Sequence, residues 1–488
     1  MAPSDLTPLS DMTGLLEQAL SRSPADATEI GWIEARRAQD GLGRRRREPW
    51  SGHERTVLVR VRVGGRTGLH RTGGTTPSDL ENAVRDALAQ ARLAPRSAAE
   101  PLPGAAAPGA GNGPSAAGAT GATGAAGALV THTDPGAGSA PLCDPELAAM
   151  DPAGTGDWLE RQSQQRGAQP GEAAQLTWAH GRVALVNSAG LRRAVEVTAA
   201  ALEIGCGRGP GAGRAVAAAR RLAGLDAPAL VERARRWQAP AEEPDGAPVP
   251  DRCAVVLSHQ GAAALVELLN RCALSSASFH DGSSALRGNL GNQVFDSGVS
   301  LRDDGTDPRG LPFPFDLAGW AKRPVELIGR GTFLTPAVDP RLADELGRSP
   351  TPHRVAPDEA RPSHLFLYAA DGGSTEEELL AAAAGGIWIG TLDRLECFDR
   401  HALRFRALAR GVRRIVGGAG GREGAAALGP ALPDLVWEDR LPALLSRVLG
   451  IGAEPCVVPT GDLLFGATSA PLLALSAQGT FVQAAPPA

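Results

Sequence analysis

The sequence predicts an α+β fold, in which a mixed α/β amino-terminal domain precedes an antiparallel, β-rich carboxyl-terminal domain. The first half contains an alternating apolar strand followed by a well-capped helix, which is typical of a mixed α/β unit. After residue 253, many short β-like runs are separated by Gly, Asp and Pro, which favours antiparallel strands. The 488 residues suffice for two or three domains. We predict a helical or flexible segment at 1–27, an amino-terminal domain at 28–245 and a carboxyl-terminal domain at 246–488.

The clearest local signals belong to a strand, a turn and a helix near the start of the amino-terminal domain. In "TVLVRVRV", residues 56–63, every second residue is a valine, which indicates a half-buried strand. Gly64 and Gly65 then supply a hairpin turn. Thr76 is placed to cap the next helix, and Asp79 stands where the acid of a capping box belongs.

The rest of the amino-terminal half divides into an insertion, two strands and a helix. The Ala/Gly/Pro-rich segment at about 97–140 is predicted to be a disordered insertion, because it cannot bury enough apolar surface to offset its chain entropy. Strand-like residues follow at 176–206, and a helix is expected around 225–238. The Pro-rich stretch 241–252 is the best candidate for a linker.

The composition excludes several classes of protein. The net charge is −5, so there is no overall electrostatic attraction to nucleic acid. The six cysteines are widely spaced and form no Cys-x-x-Cys pair, which is typical of a reducing compartment and not of a zinc ribbon. No signal peptide and no membrane-spanning apolar run is expected. We therefore expect a cytoplasmic protein that binds neither membranes nor nucleic acid.

One strand-to-helix unit, "VVLSHQGAAALVELL", raises the question of a metal site. We predict that Ser258 caps the helix and that His259 lies in its first turn. A hydrolytic zinc helix needs two imidazole ligands and a carboxylate that takes a proton from the bound water. Here the carboxylate position holds Gln260, and one turn beyond His259 stands Ala263. The residues therefore predict that no metal binds to this helix.

Other candidate sites carry weaker signals. The glycines of 205–213 have dinucleotide-loop spacing, but no ribose-binding acid follows, so we interpret them as a flexible loop. The aspartates of 302–310 fit a tight loop better than a calcium site. On a strand, Cys397, Asp399 and His401 would share one face and form a polar groove.

Taken in order, several stretches resemble the TldD/PmbA family, whose members are also described as modulators of DNA gyrase. The resemblance covers nearly everything from about 28 to 475 except the insertion, and depends on the order of many motifs. These motifs are the hairpin and helix at 59–92, "VALVNSAGLRRAVEVT" at 183–198, "LSHQGAAALVELL", "SSALRGNLGNQVFDSGVSLRDDGT" at 283–306, "FDLAGWAKRPVELIGRGTF" at 315–333, "GGSTEEELLAAAAGGIWI" at 372–389 and the end "VVPTGDLLFGATSAPLLAL".

The resemblance implies a choice between two branches of the family. TldD-like members carry H-E-x-x-x-H on the helix, bind zinc and cleave unfolded peptides, whereas PmbA-like members, also called TldE, lack the motif and act as the partner subunit. This sequence has His259 at the first position, Gln260 at the second and Ala264 at the last. The resemblance therefore implies the metal-free branch, with no catalytic residue, metal ligand or cofactor in this chain and zinc in a TldD-like partner.

The same resemblance suggests which residues form a peptide groove. Its F-D-x-x-G segment is represented by Phe315, Asp316 and Gly319, and we add His259 as a further groove candidate. We also expect an edge strand near 384–392 that would add main-chain hydrogen bonds to an extended peptide. That expectation selects three adjacent groove residues, namely Gly386, Ile387 and Trp388.

These considerations lead to one functional hypothesis and two alternatives. The leading hypothesis is a non-catalytic, PmbA/TldE-like subunit that pairs with a zinc-bearing TldD-like subunit and helps to bind unfolded peptide for proteolysis. The first alternative is a self-sufficient peptidase that uses non-standard residues such as His259, Cys397 or His401. The second is a homo-oligomeric binding or regulatory protein, which would form a self-dimer instead of a heterodimer.

Overall fold

A computed structural model describes residues 6–43, 49–96, 102–104, 130–132, 141–166, 168–169, 171–240, 244–417 and 426–484. Most of the predicted insertion at 97–140 lies outside these residues, as does the start of the predicted linker. Within the described part of the chain, no helix is both long and apolar enough to cross a lipid bilayer.

The amino-terminal half is built on one large sheet flanked by helices. Within the described residues the sheet has seven strands in the order β3-β2-β1-β5-β6-β4, and β7 also pairs with β6. Only the pairing of β4 with β6 is parallel among these neighbours. The strands are β1 (Ala27–Leu42), β2 (Trp50–Val63), β3 (Arg66–Thr72), β4 (Val130–His132), β5 (Ala173–Asn187), β6 (Arg192–Cys206) and β7 (Gly213–Ala219); the helices are α1 (Leu9–Ser21), α2 (Pro77–Leu93), α3 (Pro145–Ala149), α4 (Pro152–Arg166) and α5 (Ala227–Arg236).

The predictions of the strand, the turn and the helix cap near the start of this half are confirmed. Val57, Val59 and Val61 of β2 are buried in a core that also contains residues of α1 and α2. The turn between β2 and β3 has positive φ angles at Gly64 and Gly65, which glycine adopts without a steric penalty. Thr76 and Asp79 form the capping box of α2, since each side chain accepts a hydrogen bond from the other residue's backbone N–H.

The carboxyl-terminal half consists of several smaller sheets around the largest apolar core of the described chain. Two six-stranded sheets have the orders β11-β10-β9-β14-β23-β22 and β19-β18-β15-β8-β24-β21 within the described residues, beside a four-stranded sheet β16-β17-β20-β25 and the pair β12-β13. The strands are β8 (Cys253–Leu257), β9 (Val299–Asp303), β10 (Val325–Gly329), β11 (Thr332–Phe333), β12 (Arg354–Ala356), β13 (Glu359–Ala360), β14 (His364–Ala369), β15 (Ile387–Ile389), β16 (Thr391–Asp399), β17 (Arg404–Arg410), β18 (Arg413–Val416), β19 (Ala427–Ala431), β20 (Leu435–Arg440), β21 (Val448–Ile451), β22 (Cys456–Val458), β23 (Ala467–Ala470), β24 (Leu473–Ala477) and β25 (Thr480–Gln483). The helices are α6 (His259–Leu269), α7 (Ser276–His280), α8 (Pro340–Leu346), α9 (Glu376–Ala382) and α10 (Leu441–Leu445).

These elements are those of an α+β fold with a β-rich second half, as predicted. Most strand pairs are antiparallel, but β14 with β23 and β8 with β15 run parallel. The strands β8 and β15 can be parallel because the chain leaves β8 through α6 and returns to the same sheet much later in the sequence, at β15. The fold class is confirmed, and the two parallel pairs are an addition that the short β-like runs did not indicate.

The prediction of an edge strand near 384–392 is wrong. The strand β15 is central, because it pairs with β18 on one side and with β8 on the other. Ile387 and Trp388 are each about 1% exposed, so neither side chain faces an open groove. A strand with both edges paired cannot add an incoming peptide by main-chain hydrogen bonds. The apolar run "GIWIG" is the signature of a strand that is covered on both faces.

The two halves pack directly on one another. Phe313 and Phe315, from the carboxyl-terminal half, share an apolar cluster with residues of β1, β5 and β6. The buried guanidinium of Arg220 donates hydrogen bonds to three main-chain oxygens of that half, those of Leu311, Pro312 and Leu464. Because these bonds leave the guanidinium no room to move, they fix one wall of the space between the halves.

Candidate functional site

The predicted helix α6 holds His259 in a closed environment. Ser258 caps the helix, since its hydroxyl oxygen accepts hydrogen bonds from the backbone N–H groups of Gln260 and Gly261, as predicted. The Nδ1 atom of His259 lies 3.0 Å from the carbonyl oxygen of Ala470, and its ring centroid is 5.8 Å from that of Trp237. Burial, together with the nearby Arg233 guanidinium, lowers the pKa of His259 to about 4.

The residues of α6 do not fit a zinc ion. A catalytic zinc site needs three protein donors, and His259 has none beside it on α6, because Gln260 and Ala264 supply neither a base nor a second imidazole. The carboxylate of α6, that of Glu267, lies two turns further on and pairs with Arg361. Among the described residues, no group of three potential ligands includes His259. The residues of this helix therefore do not support a catalytic step through a metal.

The one group of three donors within the described residues lies on the amino-terminal sheet. Cys143, His180 and Glu196 place their ligand atoms within 4.8 Å of one another. However, the Glu196 carboxylate already accepts hydrogen bonds from His180, at 2.7 Å, and from the Arg182 guanidinium, at 2.9 Å. A fixed positive charge on the same oxygen opposes a cation, so we interpret this group as a hydrogen-bonded ion cluster.

A cavity of about 570 Å³ lies between the two halves. The amino-terminal sheet contributes one wall through β1, β2 and β3, and the carboxyl-terminal half contributes the floor and the opposite wall. The first wall includes Ile33, Ala35, Arg37, Glu54, Thr56, Leu58, Leu69, His70 and Arg71. The floor and second wall include Glu267, Asn270, Phe313, Phe315, Asp316, Lys322, Arg354, Arg361, Ser363, His364, Asp462 and Phe465. This volume and this mixture of apolar and polar groups are typical of a small-molecule or peptide site.

The cavity contains only some of the predicted groove residues. Phe315 and Asp316 line it, whereas His259, Gly319 and the segment 386–388 do not. The Asp316 carboxylate accepts hydrogen bonds from the backbone N–H groups of residues 318, 320 and 354, so it holds a turn together. Gly319 ends that turn with a φ of 90°, and a Cβ there would lie 2.3 Å from the side chain of Leu191. The F-D-x-x-G segment therefore shapes the wall of the cavity and packs this wall against the amino-terminal half.

The polar floor of the cavity is organised by Asp303, which the sequence analysis interpreted only as part of a tight loop. This fully buried carboxylate accepts hydrogen bonds from the backbone N–H groups of Ser363, at 2.7 Å, and His364, at 2.6 Å. Its other oxygen lies 3.1 Å from His353 Nε2 and 3.5 Å from Lys322 Nζ. The neighbouring positive charge of Lys322 and the histidine contacts hold the pKa of Asp303 well below its usual range, although burial alone would raise it.

Ser363 occupies the position of greatest chemical interest on this floor. Its hydroxyl lies 3.2 Å from Lys322 Nζ and 2.9 Å from His364 Nδ1. A serine flanked by a lysine and a histidine invites comparison with an activated nucleophile. The Lys322 ammonium, however, is paired with the Asp303 carboxylate, and a charged ammonium has no lone pair with which to accept a proton. Burial also lowers the pKa of His364 to about 3, which makes its imidazole a weak base. The arrangement therefore suits binding better than acyl transfer.

The end of α6 supplies the other polar group of the floor. Asn270, just beyond the helix, donates hydrogen bonds through Nδ2 to Glu267 Oε2, at 2.9 Å, and to the carbonyl oxygen of Pro362, at 3.0 Å. Glu267 in turn pairs with Arg361 at 3.1 Å. Burial raises the pKa of Glu267, although these partners oppose the shift. The helix that carries His259 at its start thus contributes to the cavity through its opposite end.

The remaining sequence candidates do not assemble into a site. The predicted shared face of Cys397, Asp399 and His401 is wrong, because β16 ends at Asp399 and its register shifts between residues 397 and 399. His401 lies exposed in the following turn. Burial raises the pKa of the Cys397 thiol to about 11, and the adjacent Cys272 adds to the shift, so the thiol is a poor nucleophile at neutral pH. The glycines of 205–213 connect β6 to β7 and precede no helix, so they form no dinucleotide loop.

Comparison with known proteins places this geometry in context. Residues 250–472 match the family model described as the PmbA/TldA metallopeptidase C-terminal domain. The solved structure of TldE from Thermococcus kodakarensis is 16% identical, with a TM-score of 0.71 over 98% of this chain and 100% of that chain. A modulator of DNA gyrase from Thermotoga maritima is 16% identical, with a TM-score of 0.71 over 96% and 100%. A similar protein from Bacteroides thetaiotaomicron is 15% identical, with a TM-score of 0.66 over 97% and 98%. No curated protein matches the sequence. At these identities the solved structures establish a shared fold over almost the whole chain.

Proposed function

We propose that the chain, whose residues 250–472 match the PmbA/TldA metallopeptidase family model, is a peptide-binding subunit without a metal centre of its own. It would pair with a zinc-bearing, TldD-like subunit, and that subunit would carry out the proteolysis. The observation that carries the proposal is the state of α6, where His259 is sealed against Ala470 and Trp237 and has no second ligand beside it.

Two further features support this proposal. The cavity between the halves is large enough for several residues of an extended peptide, and its walls are largely apolar. Its best-placed hydroxyl, that of Ser363, lacks a competent base, so peptide bound there would be held and not cleaved. The likeness to the protein named TldE favours the partner branch of the family over the zinc-bearing branch.

The zinc content of the purified chain tests the proposal. Because His259 has no second ligand beside it, we expect wild type and His259→Ala to contain the same amount of zinc by mass spectrometry, with no peptidase activity in either. Mixed with a zinc-bearing TldD-like subunit, both should elute as a larger complex and support equal cleavage of an unfolded peptide. Cys143→Ser is the matched control, because it removes a donor from the other cluster.

Two results would contradict the proposal. One is about one zinc per chain that is lost in His259→Ala but retained in Cys143→Ser, since that metal would be bound on α6. The other is peptide cleavage by the chain alone. A self-dimer that persists in the presence of the TldD-like subunit would instead support the homo-oligomeric alternative.

A further inference from the structure

Lysine and arginine side chains line the cavity between the halves, and all but one of those described are paired with a carboxylate. The pairs, at N–O distances from 2.7 to 3.9 Å, are Arg37 with Glu54 and Asp462, Lys322 with Asp303, Arg354 with Glu29, and Arg361 with Glu267. The exception is Arg71, which forms no ion pair with any residue that the structure describes. Its positive charge is therefore not neutralised by a neighbour in the cavity.

The position of Arg71 follows from the register of the first sheet. Arg71 lies on β3, directly opposite Leu58 of β2. Its Nη2 atom donates a hydrogen bond to the hydroxyl oxygen of Thr56, at 3.2 Å, and Thr56 and Leu58 also line the cavity. The guanidinium is thus held on the cavity side of the sheet. Because the side chain is exposed, a bound molecule can reach it.

Most of the hydrogen-bonding capacity of Arg71 remains unused. A guanidinium has five N–H donors in one plane and no acceptor. Two parallel N–H groups match the two oxygens of a carboxylate, which is why arginine binds this group so often. Leu58 and Leu69 lie on the same wall of the cavity. An ion pair beside such apolar groups is screened less than one in open water.

The charges around Arg37 do not offer a second site of this kind. The Arg37 guanidinium lies 2.7 Å from the carboxylates of both Glu54 and Asp462. The side chains of these acids are 74% and 40% exposed, against 19% for Arg37. The exposed charge there is therefore negative, and it would repel an anionic group of a bound molecule. Within the described lining of the cavity, the place for such a group is beside Arg71.

We propose that the cavity selects peptides that carry a carboxylate group, and that Arg71 binds this group. The carboxylate would accept hydrogen bonds from the free donors of the guanidinium, while Thr56 keeps the guanidinium in place. This inference rests on the proposed function as a peptide-binding subunit, and it adds a class of substrate to that function. An acidic side chain and a free carboxyl terminus both provide the group, and the experiment distinguishes them.

Binding of capped alanine pentapeptides tests the inference with the full-length chain. In each probe, acetyl-(Ala)5-amide, one alanine becomes aspartate or asparagine, at each position in turn. The two members of a pair have nearly the same shape and differ by one charge. By titration calorimetry at about 0.05 M salt, we expect wild type to bind at least one aspartate probe about fivefold more tightly than its asparagine counterpart. At about 1 M salt this preference should disappear, because the ions screen an exposed pair.

Variants assign the preference to Arg71. Arg71→Gln should bind both members of every pair equally, whereas Arg71→Lys should keep part of the preference because the charge remains. The matched control is Arg85→Gln, which removes the same charge from an exposed position on α2, a helix with no described residue in the lining of the cavity. This control should bind like wild type. The melting temperature shows whether each variant is folded, and the comparison of aspartate with asparagine in wild type needs no variant.

One further probe identifies the source of the carboxylate. It is acetyl-(Ala)5 with a free carboxyl terminus, and it is compared with its amide. A gain of about fivefold for the free terminus, lost in Arg71→Gln, would show that Arg71 binds the end of a peptide. A gain for aspartate probes alone would show that it binds an acidic side chain.

The outcomes separate the inference from the proposed function. If wild type binds the probes but prefers neither aspartate nor the free terminus, the inference is overturned while the proposed function stands. A preference that Arg71→Gln retains overturns the inference in the same way, because another group must then bind the carboxylate. If wild type binds none of the probes, either alone or with the zinc-bearing subunit, both are overturned.

Discussion

Asp303→Asn is expected to destabilise the protein by about 3–5 kcal/mol, because it removes one partner of a buried ion pair. Asp303 and Lys322 are both buried, and the carboxylate also bonds His353. An asparagine would keep one oxygen for the backbone N–H groups of residues 363 and 364. Beside Lys322, however, it would place a neutral amide instead of a carboxylate. The Lys322 ammonium would then be an uncompensated charge in the interior.

The loss is measured as a shift of the thermal unfolding midpoint. For a domain of this size, 3–5 kcal/mol corresponds to a drop of roughly 10 °C. Asp304→Asn is the matched control. The neighbouring Asp304 accepts hydrogen bonds from the backbone and hydroxyl of Thr306, and asparagine can accept both. The control should therefore lose less than about 1 kcal/mol.

A double variant checks the cause of this destabilisation. In Asp303→Asn with Lys322→Met, the buried charge is removed together with its partner, so part of the lost stability should return. Equal midpoints for the two single variants, Asp303→Asn and Asp304→Asn, would show that the ion pair does not support the floor of the cavity.

The position of Asp303 also shows what the sequence could not predict. The strand β2 and the helix α2 were predictable because their signals are local, namely the alternating valines and the Thr76–Asp79 capping box. The floor of the cavity instead joins residues 303, 322, 353 and 363, which are separated by up to 60 positions. In "RDDGTDPRG" nothing local distinguishes the buried Asp303 from its neighbours, although it is the last residue of β9.

The strand β15 illustrates a different failure. Its apolar run indicated a strand correctly, but the pairing of a strand depends on segments far away in the sequence. The family resemblance correctly selected Phe315 and Asp316 as residues of the cavity. Only the structure shows that the Asp316 carboxylate already accepts hydrogen bonds from backbone N–H groups. The sequence alone did show that the positions beside His259 hold no second zinc ligand, since Gln260 and Ala264 stand there.

Lowering the pH from 7 to 5 is expected to reduce the free energy of unfolding by about 4 kcal/mol through two buried histidines. Burial lowers the pKa of His259 to about 4 and that of His364 to about 3, from an ordinary value of 6.5. A folded-state pKa below the unfolded value means that the unfolded chain binds protons first. The contribution of the two neutral imidazoles to the free energy of unfolding is therefore fully present above pH 6.5. It is lost as the pH falls towards the pKa values of the folded chain.

The surroundings of each ring explain why protonation is resisted. His259 packs against Trp237, with the Arg233 guanidinium nearby. His364 faces Lys322 and, further off, Arg220, and these positive charges outweigh the opposing effect of Asp303. An imidazolium at either position would add a charge that is shielded from water and lies near other positive charges. Asp303 does not contribute in this range, because its pKa lies well below 3.8 and it remains charged.

Unfolding by guanidinium chloride at pH 7 and pH 5 measures the effect, and variants assign it to residues. His259→Phe and His364→Phe should each reduce the loss by about 2 kcal/mol, because each removes one site that binds a proton on unfolding. The control is His401→Gln, in an exposed turn, which should leave the loss unchanged. If all three variants lose as much stability as wild type, other groups control the response to acid. If only His364→Phe reduces the loss, then His259 is protonated within the folded chain. It would then lie in a wetter environment than its contacts with Trp237 and Ala470 imply.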